Sequence, residues 1–307
     1  MGAGASVPYE FSTLPTEQQA EYKQKYQDAV AAAEIDHVDK STAQKQALYA
    51  VKTGYISNEI ELNHALTIPL TDLQDTIRLA IGKGKTPLVI DNSEEDKVNT
   101  FFTYQSATML DGKKMGLDKT LKKIPVQDIM DDARKKLVQA LKFGQPLVIA
   151  LTKSVTDFAL TFTDEVAGAN GSLDLQAGKY IPIELFKNAG RNCVSTEYLE
   201  ALFRSEDKDQ GMAISRNPDG FHVIITSQFA PEDYDEYLFG NDWGLPKPKE
   251  NYQVIIIDDT KQPVRIESDA DAAPPSSDVP AVGNSNAEAV GLVANFNEDH
   301  AHHEEAH

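Results

Sequence analysis

Two stretches of the chain repeat one pattern: a helical apolar periodicity, a glycine break, a proline and a short unbroken apolar run. They are LAIGKGKTPLVID, from Leu79 to Asp91, and LVQALKFGQPLVIALT, from Leu137 to Thr152. A strand exposed on one face alternates apolar and polar residues, whereas one covered on both faces does not. Unalternated runs therefore call for a parallel sheet with helices on each side. FHVIITS (Phe221 to Ser227) follows a turn at Asn217-Pro218-Asp219-Gly220, and YQVIIID (Tyr252 to Asp258) follows a Gly/Pro-rich connection. Four such strands separated by helices predict an α/β fold with a parallel sheet.

The helices are marked by their own signals. Pro15 followed by Glu17 is a common helix start, and a helix is expected through EQQAEYKQKYQDAVAAAEI. A second is expected over Ser41 to Thr53, capped by Ser41 or Thr42. A third should begin at Thr71, end at Gly82 or Gly84, and set Leu73, Ile77 and Ile81 on one face. KVNTFFTY (Lys97 to Tyr104) reads as a helix. Residues 126–144 form the strongest helical pattern, with Ile129, Ala133, Leu137 and Leu141 aligned and Gly144 as the stop. The expected organisation is an N-terminal arm at 1–14, a helical region at 15–66, an α/β domain at 67–266 and an acidic disordered tail at 267–307.

This order of elements resembles the fifth ATPase module of dynein heavy chains. It is also similar to the C-terminal domain of proteins with an IQ motif and ankyrin repeats, which this chain lacks. The resemblance spans about residues 71–258 and rests on Pro87-Leu88-Val89-Ile90-Asp91, on Phe143-Gly144-Gln145-Pro146-Leu147-Val148-Ile149, and on Phe221 to Pro231. It implies an AAA-like P-loop NTPase core, and the nucleotide chemistry of such a core makes specific demands on three loops.

The first demand is a phosphate loop, G-x-x-x-x-G-K-[ST], placed after a strand so that backbone N–H groups face the phosphates. The sequence GKGKT at 82–86 precedes the strand, and the position of the leading glycine is Leu79. The segment that does follow the strand, Asn92 to Val98, has no glycine, and it carries Glu94, Glu95 and Asp96. Without glycine, close approach of the backbone to a phosphate is hindered. Those carboxylates are expected instead to stabilise the N-terminus of the following helix. A core lacking a phosphate loop is thus expected.

The second demand is a strand ending in acids that hold Mg²⁺. Here the strand ends in Leu151-Thr152-Lys153, and Asp157 comes later. At the third, Thr226 takes the position of the threonine that would sense phosphate, and a strand-end hydrogen bond is the plainer role. Arg134, Arg191, Arg204 and Arg216 are candidate arginine fingers in an assembled ring, or surface charges. No catalytic residue and no cofactor are expected. If nucleotide binds, the residues to carry it are Asp91, Lys97 and Thr226.

Charge narrows the partners. The formal net charge is −19; residues 267–307 hold nine acids and no Lys or Arg, leaving −10 on the first 266. Both parts would repel a phosphate backbone, so nucleic-acid binding is not expected. The start, MGAGAS, matches the N-myristoylation pattern, with Gly2 exposed after removal of Met1. One acyl chain alone anchors weakly. No apolar stretch near the start suggests a secretory leader, and the single cysteine, Cys193, suits a cytoplasmic protein and reads as a packed thiol. His37, His64 and His222 lack spaced partners. His300, His302, His303 and His307 lie among acids and form a weak metal-binding tract. Trp243 lies in a Gly/Pro loop, as a partner contact or a loop plug.

These observations favour a non-catalytic interaction or scaffold protein with protein partners, tied by the resemblance to the cilium, flagellum or cytoskeleton. The alternatives are an atypical nucleotide-binding ATPase and a metal buffer acting through the histidine tail.

Overall fold

The apolar runs assemble into one sheet in which every strand pair is parallel. In the computed structural model, residues 16–35, 38–93, 95–164, 181–194, 202–207, 220–258 and 260 are described. The chain divides into two units, 1–267 and 268–307; the second lies outside the described residues.

The elements follow in the order α1 (Thr16–Ile35), α2 (Lys40–Leu62), β1 (Ala65–Ile68), α3 (Leu73–Gly82), β2 (Thr86–Asp91) and α4 (Lys97–Tyr104). Next come β3 (Thr108–Asp111), α5 (Gly112–Thr120), α6 (Val126–Phe143) and β4 (Leu147–Ala150). A two-stranded pair, β5 (Thr163–Asp164) and β6 (Ile181–Pro182), precedes β7 (Val223–Ser227), α7 (Tyr234–Phe239) and β8 (Tyr252–Ile257). The main sheet has six strands in the order β1-β8-β2-β7-β4-β3. The four strands expected from sequence are its four interior strands, and β1 and β3 form its edges.

Alternate residues of each interior strand face two separate cores. Leu88 and Ile90 of β2 pack with Ile149, Ile225 and the apolar stripe of α6. Val89 points the other way, into a cluster with Ile77 of α3, Val98 and Phe102 of α4, and Ile56 and Ile60 of α2. Each such side chain, fully withdrawn from water, contributes about 1.5–3 kcal/mol. The helices divide accordingly. Crossovers running toward β3, through α3 and α4, lie on one face. Those running back, through α5, α6 and α7, lie on the other. That arrangement gives the crossovers a single hand.

Local chemistry sets several boundaries. Asp39, rather than Ser41 or Thr42, caps α2, its carboxylate accepting from Thr42 N at 3.0 Å. Helix α2 continues nine residues beyond the expected Thr53 because Tyr55, Ile56 and Ile60 are buried. Lys52 fastens α2 to the start of α3 through Asp72 (3.0 Å) and Asp75 (3.4 Å). The expected boundary near residue 66 falls within β1, which pairs along its length with β8. Gly144 ends α6 in the left-handed region, at φ 63°, as expected.

The segment 181–194 is tied to the amino end of β2. Thr86 Oγ1 donates to the Phe186 carbonyl at 3.0 Å and accepts from Ala189 N at 2.9 Å. Gly190 permits the close approach: its φ is +68°, and a Cβ there would meet Val223 Cγ2 at 2.6 Å.

Candidate functional site

Where neighbouring strands of a parallel sheet send their chains to opposite faces, a crevice opens at their carboxyl ends. Strands β2 and β7 are such neighbours, since β2 leads to α4 on one face and β7 to α7 on the other. Asp91, Lys97 and Thr226, the residues proposed for nucleotide contact, border that crevice as the end of β2, the start of α4 and the penultimate residue of β7.

The end of β2 is closed by its own chain. Asp91 is buried. Its Oδ1 accepts from Ser93 N at 3.0 Å and from Ser93 Oγ at 2.6 Å, and its Oδ2 accepts from Val98 N at 3.0 Å. Ser93 Oγ in turn accepts from Lys97 N at 3.3 Å. The Lys97 and Val98 N–H groups belong to the first turn of α4, where a phosphate bound at a helix N-terminus would need them. The Asp91 carboxylate and the Ser93 hydroxyl accept from them in place of a phosphate.

Of the acids in the loop, Glu94 lies outside the described residues, and Asp96 gives no side-chain hydrogen bond to the helix backbone. Asp96 instead has a left-handed backbone (φ 50°) and accepts from Asn99 Nδ2 at 2.9 Å. The carboxylate at the head of α4 is Asp91, reaching from the strand.

Thr226 makes a strand-end hydrogen bond. Its Oγ1 donates to Asn99 Oδ1 at 2.8 Å. Asn99 therefore joins β7 to the first turn of α4, with its amide donating to Asp96 and its carbonyl accepting from Thr226. Sequence reasoning missed Asn99, because its two partners come from elements far apart in the chain.

At the end of β4, Thr152 has φ 54° and its carbonyl accepts from Gln228 N at 2.9 Å. Asp157 caps the π-helical turn Phe158–Phe162 through Leu160 N. Its carboxylate also accepts from Thr161 Oγ1, and from Lys119 Nζ at 2.9 Å. Burial raises the Asp157 pKa, but these hydrogen bonds outweigh it and hold it below the usual carboxylate value.

The candidate arginines divide. Arg134 is not a surface charge: it is fully buried and binds Asp131 Oδ1 (3.0 Å), the Asp207 carboxylate and the Leu202 carbonyl (2.9 Å). It clamps the segment 202–207 onto α6. Arg204 pairs with the same Asp131 at 2.9 Å. Arg191 is exposed.

Cys193 is fully buried, and burial, with the nearby Glu184 charge, pushes its thiol pKa well up. It is a packed thiol. Trp243 is partly exposed in its loop. Among the described residues no group of three His, Cys, Asp or Glu side chains is placed to hold a metal ion. Among the same residues no helix is long and apolar enough to cross a membrane. Gly2 and the N-terminal arm, Arg216, His37, and the tail with His300, His302, His303 and His307 lie outside the described residues.

Compared with protein-family models, with curated proteins and with solved structures, the chain matches none of them.

Proposed function

We propose that the chain is a non-catalytic interaction or scaffold protein, built on a degenerate dynein-like AAA domain whose phosphate site is closed by its own residues. One observation carries the reading: the Asp91 carboxylate accepts the Val98 N–H at the head of α4, where a nucleotide phosphate would have to sit. An anion entering there would meet a negative side chain held by three hydrogen bonds. Two unit charges 4 Å apart repel by about 1 kcal/mol in water and by more in a cleft. The strand succession β8-β2-β7-β4-β3 is compatible with the P-loop core that the resemblance names. The proposal extends to protein partners on cytoskeletal or axonemal structures, to work in the cytoplasm, and to a membrane tether through acylated Gly2.

Phosphate release from ATP by the full chain tests the silent site: turnover that Asp91→Ala or Lys97→Ala abolishes would refute the proposal. Proximity labelling in the source cell tests the scaffold role, with the Gly2→Ala chain as comparison. Cytoskeletal or ciliary neighbours support it. A neighbour set indistinguishable from that of an inert cytoplasmic control removes it.

A further inference from the structure

The amino ends of the strands, opposite the Asp91 end, carry a different feature. A cavity of about 500 Å³ opens there between α3 and α4. That lies within the range of small-molecule sites, roughly 300–1,000 Å³. Its apolar walls are Ile77 and Ile81 of α3, Phe101 and Phe102 of α4, and Ile224 of β7. Two guanidinium groups lie at this cavity, and they differ in what they bind. Arg78 is engaged with Asp75 Oδ1 (3.2 Å) and Tyr49 Oη (3.0 Å). Arg191 is exposed and has no hydrogen-bond or ion-pair partner among the described residues, although the chain carries a formal charge of −19. Its near neighbour in the lining is His222, whose protonation is disfavoured by burial and by the Arg191 charge itself. Among the described residues the cation is thus left unmatched beside an apolar cleft.

We propose that this cleft binds an amphiphile with a long apolar chain and a single anionic head, of the fatty-acid class. The chain lies against Ile77, Ile81 and Phe101, and the carboxylate pairs with Arg191. Nothing in this depends on whether the β2 end binds nucleotide. Apolar walls reward each methylene removed from water, and a guanidinium rewards a carboxylate over an uncharged head.

The test uses the full chain and a series of saturated carboxylic acids of increasing length, displacing a fluorescent fatty-acid probe. Saturable one-to-one binding is expected, tightening about fourfold per added methylene until the cleft is filled. Arg191→Ala should weaken the carboxylate about tenfold to a hundredfold while leaving the matching alcohol unchanged. A blocking variant is available at Gly82, which lines the cleft and where an added Cβ meets nothing within 4 Å. Gly82→Leu should abolish binding with little change in the unfolding midpoint. Absence of saturation, equal affinity for acid and alcohol, or binding unaffected by Gly82→Leu would each overturn the proposal. So would a chain acylated at Gly2 that refuses the probe while the Gly2→Ala chain accepts it, since the cleft would then hold its own acyl group.

Discussion

Asp91, the last residue of β2, accepts a 3.0 Å hydrogen bond from the backbone N–H of Val98, seven residues on and one residue into α4. That bond closes the turn between strand and helix, and Ser93 completes it from inside the loop. A turn held this way needs no ligand to order it. Removing the carboxylate leaves the buried Val98 N–H without its acceptor. Asp91→Ala should therefore destabilise the fold by about 1–3 kcal/mol, read from denaturant unfolding. Asp91→Asn keeps one acceptor oxygen and should cost less. Equal stability of all three chains would mean that the turn does not depend on this bond.

Arg134 poses the matching test on the other face of the sheet. Its side chain is fully buried between Asp131 and Asp207. Removing one partner of a buried ion pair costs about 3–5 kcal/mol. Arg134→Met should fall at the lower end, because Asp131 keeps Lys135 (2.8 Å) and Arg204 (2.9 Å). The segment 202–207 should also become open to proteolysis. Unchanged unfolding and unchanged cleavage would show that the clamp is dispensable.

Gly190→Ala should cost about 1–3 kcal/mol, through a left-handed backbone and a contact of 2.6 Å with Val223 Cγ2. Thermal unfolding reads the loss. A variant as stable as the parent would mean that 181–194 lies further from β7 than its hydrogen bonds to Thr86 require.

Acid should weaken the same clamp. Burial raises the Asp131 pKa, but hydrogen bonds from Lys135 and Arg134 outweigh it, and the folded value lies below the ordinary carboxylate range. Asp157 is shifted the same way. A carboxylate depressed in the folded state contributes stability above its unfolded pKa of about 4, and loses that contribution as pH falls through the folded value. Unfolding free energy should thus be insensitive to these groups at neutral pH and decline below about pH 4. Asp131→Asn should flatten that decline. An identical acid profile in the variant would remove Asp131 from the account.

What was legible in the sequence follows from what is doubly buried. Strands β2, β4, β7 and β8 show as unbroken apolar runs because helices cover both their faces. The edge strands hid. Thr108-Met109-Leu110-Asp111 and Ala65-Leu66-Thr67-Ile68 alternate buried with part-exposed residues over four positions, too few to separate from loop. Helix α5, with the sequence GKKMGLDKT, carries two glycines and little apolar periodicity. At the candidate site, the missing glycines and the carboxylate-rich turn were visible, but which carboxylate would act was not. That depended on how far α4 folds back over the end of β2. A signal existed in Asp91 with Ser93 two residues on, the spacing of an Asx turn.

Whether the end of β2 can hold a triphosphate is measured most directly by isothermal titration of the full chain with Mg-ATP. A closed site predicts no saturable heat, with a dissociation constant weaker than about 1 mM. Micromolar binding at one-to-one stoichiometry, lost in the Lys97→Ala chain, would contradict it.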